Sequence, residues 1–243
     1  MKKFSIILIF FLSILQAKSL VVDVNVPEIL DSRISSFIID KSNPNVVNVK
    51  VEVHNTGSLP FNSRVRLDIF GLKGLNRTVW SEEKLINPSE KKVFNLFFYS
   101  NESDYFRVKS RIYYSNEIMD YKDVTFELEK TKQETSDIFF IKKMRISKDH
   151  LKFDIKSEEN GNYVISFFGY PKSWIVEQEV ISLKAGKWSP VKVNFKPVGD
   201  LNKKLGLEIF SLDGNFYKLI EFKPKRESKI EEIYGNLLDL LRR

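Results

Sequence analysis

The chain has 243 residues, of which 42% are hydrophobic and 29% charged, so it can hold one large domain or two smaller ones with packed cores. It contains no cysteine and only two histidines, which excludes disulfides, thiolate metal sites, cysteine nucleophiles and histidine-rich metal sites. The formal net charge of +7 is modest for this length and argues against a nucleic-acid partner.

The first 19 residues have the layout of a secretory signal peptide. Lys2 and Lys3 precede an apolar run, and Ala17 and Ser19 place small residues at the −3 and −1 positions of a cut before Leu20. The run is shorter than the ~20 residues that span a bilayer, although an uncleaved anchor is the alternative. Cleavage leaves 36 basic and 32 acidic residues, a net charge of +4. We therefore expect an exported chain with no transmembrane span after cleavage, and the lack of cysteine favours a prokaryotic source.

Residues 47–53 and 65–69 predict two strands that each bury one face. Valine occupies every second position of the first stretch, and apolar residues alternate with charged ones in the second. Between them, Asn55 can hydrogen-bond its own downstream backbone and Gly57 can take positive φ. The stretch is therefore two strands with a shaped connection.

This pattern of short strands and turns continues to residue 129. The expected strands are 21–26, 47–53, 65–69, 93–99, 105–114 and 124–128, with short segments at 77–80 and 85–86. About seven short strands without helical periodicity in roughly 110 residues are typical of an antiparallel sandwich. We assign residues 20–129 to this first domain. The polar stretch KTKQETS at 130–136 has no apolar rhythm and is interpreted as an interdomain linker.

A second set of strands occupies residues 137–224. The expected strands are 138–146, 151–155, 163–168, 174–181, 191–195, 205–210 and 216–222. Each half has a strand, an Asn/Gly turn and a second strand, followed by a proline turn before a strand of alternating Val and Phe. This shared order indicates a tandem repeat of one architecture.

Three stretches of the first half, 47–71, 86–100 and 105–121, resemble the prokaryotic CARDB group of Ig-like domains. That group is associated with cell-surface and S-layer-like proteins. The stretch 162–197 looks like Ig-like domains found beside glycosidase modules and in archaeal surface proteins. The resemblance implies an all-β chain of two tandem Ig-like antiparallel β-sandwiches, used as spacers or adhesive modules, with no activity. The acidic stretch near the end of such domains is reduced here to Asn116, Glu117 and Asp120, so no calcium site is implied.

The sequence has no catalytic signature. It lacks a phosphate-binding glycine loop, an HExxH motif and a Gly-x-Ser-x-Gly elbow, so we expect neither an enzyme nor a cofactor or metal. One candidate binding surface is a cationic, aromatic strand face formed by Arg107, Lys109, Arg111 and Tyr113, which suits an acidic polymer. The alternative is an exposed sheet face with ordinary charges. Asn76 and Asn101 begin N-glycosylation sequons in expected surface turns.

Residues 225–243 depart from the β pattern and predict a short C-terminal α-helix. An apolar stripe recurs at spacings of three and four, formed by Ile230, Ile233, Leu237, Leu238 and Leu241. The stripe needs a surface to cover it. That surface is the second sandwich, a partner chain or a membrane surface.

These features favour an exported, non-catalytic cell-envelope protein that acts as an interaction, adhesion or structural module. Its partner would be an envelope protein or a surface polymer, with a chain–chain contact possible through the C-terminal helix. One alternative is a secreted carbohydrate-binding accessory module, which requires solvent-facing rings of Trp80, Trp174 and Trp188 in one plane. Another is a pilus-type assembly chaperone, which also has a signal peptide, two Ig-like domains and a basic pI like the 9.3 of this chain.

Overall fold

The computed structural model describes residues 27–43, 45–71, 74–100, 104–128, 136–147, 149–171, 173–197, 204–223 and 225–226. Every regular element in these ranges is a strand, so the all-β prediction is confirmed for them. The expected signal peptide, residues 130–135 of the expected linker, Asn101 and residues 227–243 lie outside the described ranges. The helix expected from residue 225 is wrong at its first two positions, because Lys225–Arg226 form a strand.

The first sandwich consists of two antiparallel sheets that face each other. Its strands are β1 (Ser32–Asn43), β2 (Val46–Asn55), β3 (Phe61–Gly71), β4 (Gly74–Trp80), β5 (Lys84–Ile86), β6 (Lys91–Tyr99), β7 (Asp104–Tyr114) and β8 (Glu117–Leu128). One sheet has the order β1-β2-β6, and the other has the order β4-β3-β7-β8 with β5 paired to β3. The alternating valines of β2 are all fully buried between the sheets, as their period of two predicts.

The second sandwich repeats this order with two additions. Its strands are β9 (Phe139–Ile146), β10 (His150–Ser157), β11 (Gly161–Phe168), β12 (Ile175–Val176), β13 (Glu179–Leu183), β14 (Trp188–Lys196), β15 (Leu205–Ser211), β16 (Tyr217–Phe222) and β17 (Lys225–Arg226). The sheets run β12-β14-β10-β9-β17 and β13-β11-β15-β16. Without β12 and β17, the strands follow the order of the first sandwich, so the predicted repeat of one arrangement is present. Its core is separate from that of the first sandwich and includes the fully buried Trp174.

Two long strands of the first sandwich include residues that the sequence analysis does not assign to strands. β1 was not expected at all, and β8 was expected only from residue 124. Strand β1 contains two irregularities in its pairing with β2, after Ile34 and after Asp40. Each irregularity interrupts the strict alternation of apolar and polar residues, which is the signal by which a half-buried strand is recognised.

The connection after β2 is organised by Asn55 and Gly57. The Asn55 side-chain amide is fully buried, donates to the carbonyls of Leu59 (2.8 Å) and Ile86 (3.0 Å), and accepts from the Gly57 N–H (3.0 Å). The expected positive φ at Gly57 is wrong. Glycine is needed there because a Cβ would lie 2.2 Å from the Ile29 carbonyl oxygen, so the segment before β1 could not pack against the turn.

Candidate binding surfaces

A short segment of the second sandwich is inserted between two strands of the first. The Gln178 side chain accepts from the Phe97 N–H (2.8 Å) and donates to the Phe97 carbonyl (2.7 Å), and its own N–H donates to the Trp80 carbonyl (2.8 Å). Phe97 lies on β6, the last strand of its sheet, and Trp80 ends β4 of the opposite sheet. Gln178 therefore satisfies edge groups of β6 and links both sheets of the first sandwich to the second.

Apolar packing surrounds this insertion. A cluster that spans the two sandwiches contains Val46, Phe97 and Tyr99 from the first and Val164 and Phe210 from the second. The Tyr99 ring also stacks on Tyr217, with 4.1 Å between ring centroids. The two sandwiches consequently meet through buried side chains in addition to the chain connection between them.

Two buried ion pairs cross the same junction. Arg77 of β4 binds Glu208 of β15 at 2.7 Å, and burial raises the pKa of Glu208, a change that Arg77 opposes. Arg64 of β3 binds Glu83 at 2.7 Å and approaches Glu177 to 4.0 Å. Burial raises the pKa of Glu177 as well, despite its hydrogen bond from Asn194. Buried charges of this kind fix geometry more than they add stability, because their desolvation is costly.

A cleft of about 350 Å³ opens beside Gln178 and is lined by residues of both sandwiches. Glu179 lies in its wall with Glu82 and Lys84. Burial is the main cause that raises the pKa of Glu179 to about 7, and the nearby carboxylates of Glu177 and Glu82 contribute to the same shift. The cleft is thus acidic and holds a carboxyl group that titrates near neutral pH.

The cationic face expected on the first sandwich is formed, but its charges are engaged with neighbouring groups. The Nε–H of Arg107 donates to both carboxylate oxygens of Asp123, at 2.9 and 3.0 Å. Arg111 pairs with the buried Asp68. The Lys109 ammonium lies over the Tyr121 ring, and Tyr113 packs against Trp80. The four predicted residues share one side of β7, and carboxylates neutralise the two arginines.

The other predicted site residues fall in several places. Trp80 and Trp174 are 4% and 0% exposed, so they cannot join Trp188, which is 42% exposed, in one flat platform. The prediction of a three-tryptophan platform is therefore wrong.

Of the two predicted glycosylation sites, Asn76 lies within β4 rather than in a turn, and Asn101 lies outside the described residues. The apolar stripe of the expected helix, residues 230–241, also lies outside them.

A different cationic surface lies on the second sandwich, on the outer side of β9, β10 and β14. We call it the basic face. Its outward positions carry seven basic residues and one acidic residue: Lys142, Lys143, Arg145, Lys152, Lys156, Lys192 and Lys196, with Asp154. In the strand register, Lys152 is directly opposite Lys192 on one side and Arg145 on the other. Like charges in directly opposite positions destabilise a sheet, so the pair Lys152–Lys192 has a cost to folding.

A β-bulge in β9 adds to the charge of the basic face. The pairing of β9 with β10 shifts between Lys152 and Asp154, and Lys143 has φ of 55° at this point. This left-handed backbone costs a residue with a side chain about 1–2 kcal/mol. Because of the extra residue, the consecutive Lys142 and Lys143 are both exposed instead of alternating between the two sides of the sheet.

Two aromatic rings hold lysines of the basic face in position. Phe140 and Trp188 are the neighbours of Lys156 on the two sides of β10. The Lys156 ammonium lies 4.5 Å from the Phe140 ring centroid, and the Lys142 ammonium lies 3.8 Å from that of Trp188. A ring restrains an ammonium group without neutralising its charge, as a carboxylate would.

The basic face has a signal in the sequence, in the alternation of its lysines along β10 and β14. Lys152, Asp154 and Lys156 alternate in β10, and Trp188, Lys192 and Lys196 recur in β14 with the same parity. Each pattern on its own resembles an ordinary solvated strand. Only the register of three strands brings the basic residues into one row.

Within the ranges that the structure describes, no cluster of three or more His, Cys, Asp or Glu side chains could hold a metal ion. The described residues also include no helix with the length and apolar character needed to cross a bilayer.

Neither a protein-family model nor a curated protein matches the chain. Among solved structures, a β-glucuronidase from Bacteroides uniformis has 10% sequence identity and a TM-score of 0.37 over 54% of this chain and 16% of that one. A putative β-galactosidase from Bacteroides fragilis has 15% identity and a TM-score of 0.35 over 45% of this chain and 19% of that one. The transglutaminase of red sea bream has 12% identity and a TM-score of 0.29 over 80% of this chain and 31% of that one. The chain therefore spans less than a third of the length of each of these proteins.

We expect Gln178→Ala to lower the free energy of unfolding by about 1–3 kcal/mol, because the Phe97 N–H and carbonyl lose their partner at a partly buried junction. Urea denaturation measures this change. Asn62→Ala removes an exposed amide from β3 and serves as the control, with little expected effect. Equal midpoints for Gln178→Ala and the unmodified chain would contradict the role of Gln178 in holding the junction.

We expect Glu179→Gln to stabilise the protein at pH 8 and to have little effect near pH 4. Since the folded-state pKa of Glu179 is raised to about 7, its contribution to stability is present below its unfolded pKa and is lost as the pH rises through about 7. The glutamine variant has no carboxylate to hold beside Glu177 and Glu82 at high pH. Denaturation curves at both pH values measure the difference, with Glu117→Gln on β8 as an exposed control. If Glu179→Gln changes the free energy of unfolding by the same amount at both pH values, the pKa of Glu179 is not raised.

Proposed function

We propose that the chain is an exported, non-catalytic module of the cell envelope that binds a negatively charged partner through the basic face. Both sandwiches are Ig-like in this proposal, and the first is of the CARDB kind. The repeated strand order, β1-β2-β6 against β4-β3-β7-β8 and its counterpart in the second sandwich, supports an Ig-like assignment. The signal-peptide layout of residues 1–19 supports export.

The single observation that carries the binding role is the cross-strand pair of Lys152 and Lys192. Two like charges in directly opposite positions oppose folding, and an opposite charge at either position would favour it. The left-handed Lys143 has a further cost at the same surface. A negatively charged partner that binds Lys152 and Lys192 would offset the repulsion between these two lysines.

The junction between the sandwiches supports a role as a rigid support for this surface. Asn194, on β14, donates to the Glu177 carboxylate at 2.7 Å, and the Glu177 N–H donates to the Asn194 carbonyl at 3.1 Å. The strand that carries Lys192 and Trp188 is thereby tied to the segment inserted into the first sandwich. A binding surface on a fixed strand loses little conformational freedom when a partner binds.

The experiment that tests this proposal is co-sedimentation of the purified chain with the cell-envelope fraction of its source organism. We expect the unmodified chain to sediment with the envelope and the double variant Lys152→Glu/Lys192→Glu to remain mainly in the supernatant. The reversals replace attraction by repulsion at the centre of the row, so the bound fraction should fall by about tenfold or more at low salt.

The matched control is Arg33→Glu/Lys122→Glu, which changes the net charge equally at exposed strand positions of the first sandwich. This variant should bind the envelope as the unmodified chain does. Equal losses of envelope binding in both double variants would show that binding depends only on the net charge of the chain. No loss in either would show that the basic face is not the binding surface. Either result overturns the proposal.

A further inference from the structure

We infer that the partner of the basic face is an acidic polysaccharide, a chain of sugars with carboxylate, sulfate or phosphate groups. This inference rests on the proposed function, since it names the chemistry of the ligand at the same surface.

The charges form an extended surface rather than a pocket. Neighbouring strands lie ~4.8 Å apart, so the row from Arg145 through Lys152 to Lys192 spans about 10 Å. Along β10, Lys152 and Lys156 are four residues apart, or about 13 Å. A single small anion would touch one or two of these groups. A polymer with acid groups at intervals can reach several of them at once.

The rings of the basic face argue against two other polyanions. A single-stranded nucleic acid stacks its bases on open aromatic faces, and an anionic membrane takes up exposed tryptophan and phenylalanine. Lysine ammonium groups lie over Trp188 and Phe140, at 3.8 Å and 4.5 Å from the ring centroids. Stacking or insertion would separate these groups from the rings. A polymer recognised by its charge leaves them in place and meets cations that are already positioned.

The carboxylate of Asp154 occupies the middle of the basic face. It lies between Lys142 and Pro190 in the register and binds Lys143 at 3.4 Å. A second carboxylate, Asp149, lies before β10, where a hydrogen bond with His150 is the main cause that lowers its pKa and Lys192 contributes less. An incoming acidic polymer is repelled by Asp154 and competes with it for Lys143. Asp154→Asn should therefore strengthen binding, an effect in the opposite direction to the lysine reversals.

The test is titration of the full chain with polygalacturonate, measured by calorimetry, beside a neutral polysaccharide (dextran), single-stranded DNA and vesicles that contain phosphatidylserine. We expect the tightest binding to polygalacturonate, no binding to dextran, and a weaker affinity as salt is raised. Lys152→Glu/Lys192→Glu should lose about tenfold or more in affinity, Asp154→Asn should gain several-fold, and Arg33→Glu/Lys122→Glu should match the unmodified chain.

Tighter binding to DNA or to the vesicles than to polygalacturonate would overturn the inference, as would binding that Asp154→Asn weakens. The envelope experiment distinguishes a failure of this inference from a failure of the proposed function. If the envelope fraction retains the unmodified chain and releases Lys152→Glu/Lys192→Glu, but polygalacturonate does not bind, then the basic face is a binding surface for another partner. If the envelope releases both double variants equally, the basic face itself is not the binding surface.

Discussion

The arrangement of the two sandwiches depends on one inserted segment, Glu177-Gln178. Edge strands present unpaired N–H and C=O groups, and β6 would leave those of Phe97 open. Gln178 closes this edge with a side-chain amide, while its backbone reaches the last residue of β4. Because the contact is made of directional hydrogen bonds, it fixes one relative orientation, which the apolar cluster alone would permit to vary. Glu177 then connects this contact to β14 through Asn194, so the junction is tied to one of the three strands that form the basic face.

The charged groups of the junction and those of the basic face have different surroundings. The junction buries acidic groups whose pKa values are raised, with Arg64 and Arg77 beside them, and its charges are mostly engaged within the protein. The basic face has seven outward cations for one carboxylate, and two of its lysines rest on rings instead of carboxylates. The first sandwich offers a useful contrast, since Arg107 and Arg111 on β7 bind Asp123 and Asp68. Charge on a strand face is therefore common in this chain, and the basic face is distinguished by its excess of cations and by the rings that lie under Lys142 and Lys156.

Much of the fold could be predicted from the sequence because a period of two reports burial directly. The alternating valines of β2 point into the core of the first sandwich, and the alternating apolar residues of β10 and of the second half of β14 point into the core of the second. Strand β1 was missed because bulges interrupt its alternation, and the strand at Lys225–Arg226 was missed because two residues carry no period. The binding surface could not be predicted, since each lysine looks ordinary in its own strand and acquires meaning only from the register. The role of Gln178 was equally hidden, because its partner Phe97 is 81 residues away in the sequence.

The most direct measurement of the central idea is a map of amide chemical shifts by NMR during titration with an acidic oligosaccharide. We expect the changes to concentrate at the outward residues of β9, β10 and β14, strongest around Lys152, Lys192 and the bulge at Lys143, with the inward residues of the same strands less affected. Changes that concentrate on β7 and β8 of the first sandwich, or that follow no surface of the molecule, would contradict the assignment of the basic face as the binding site.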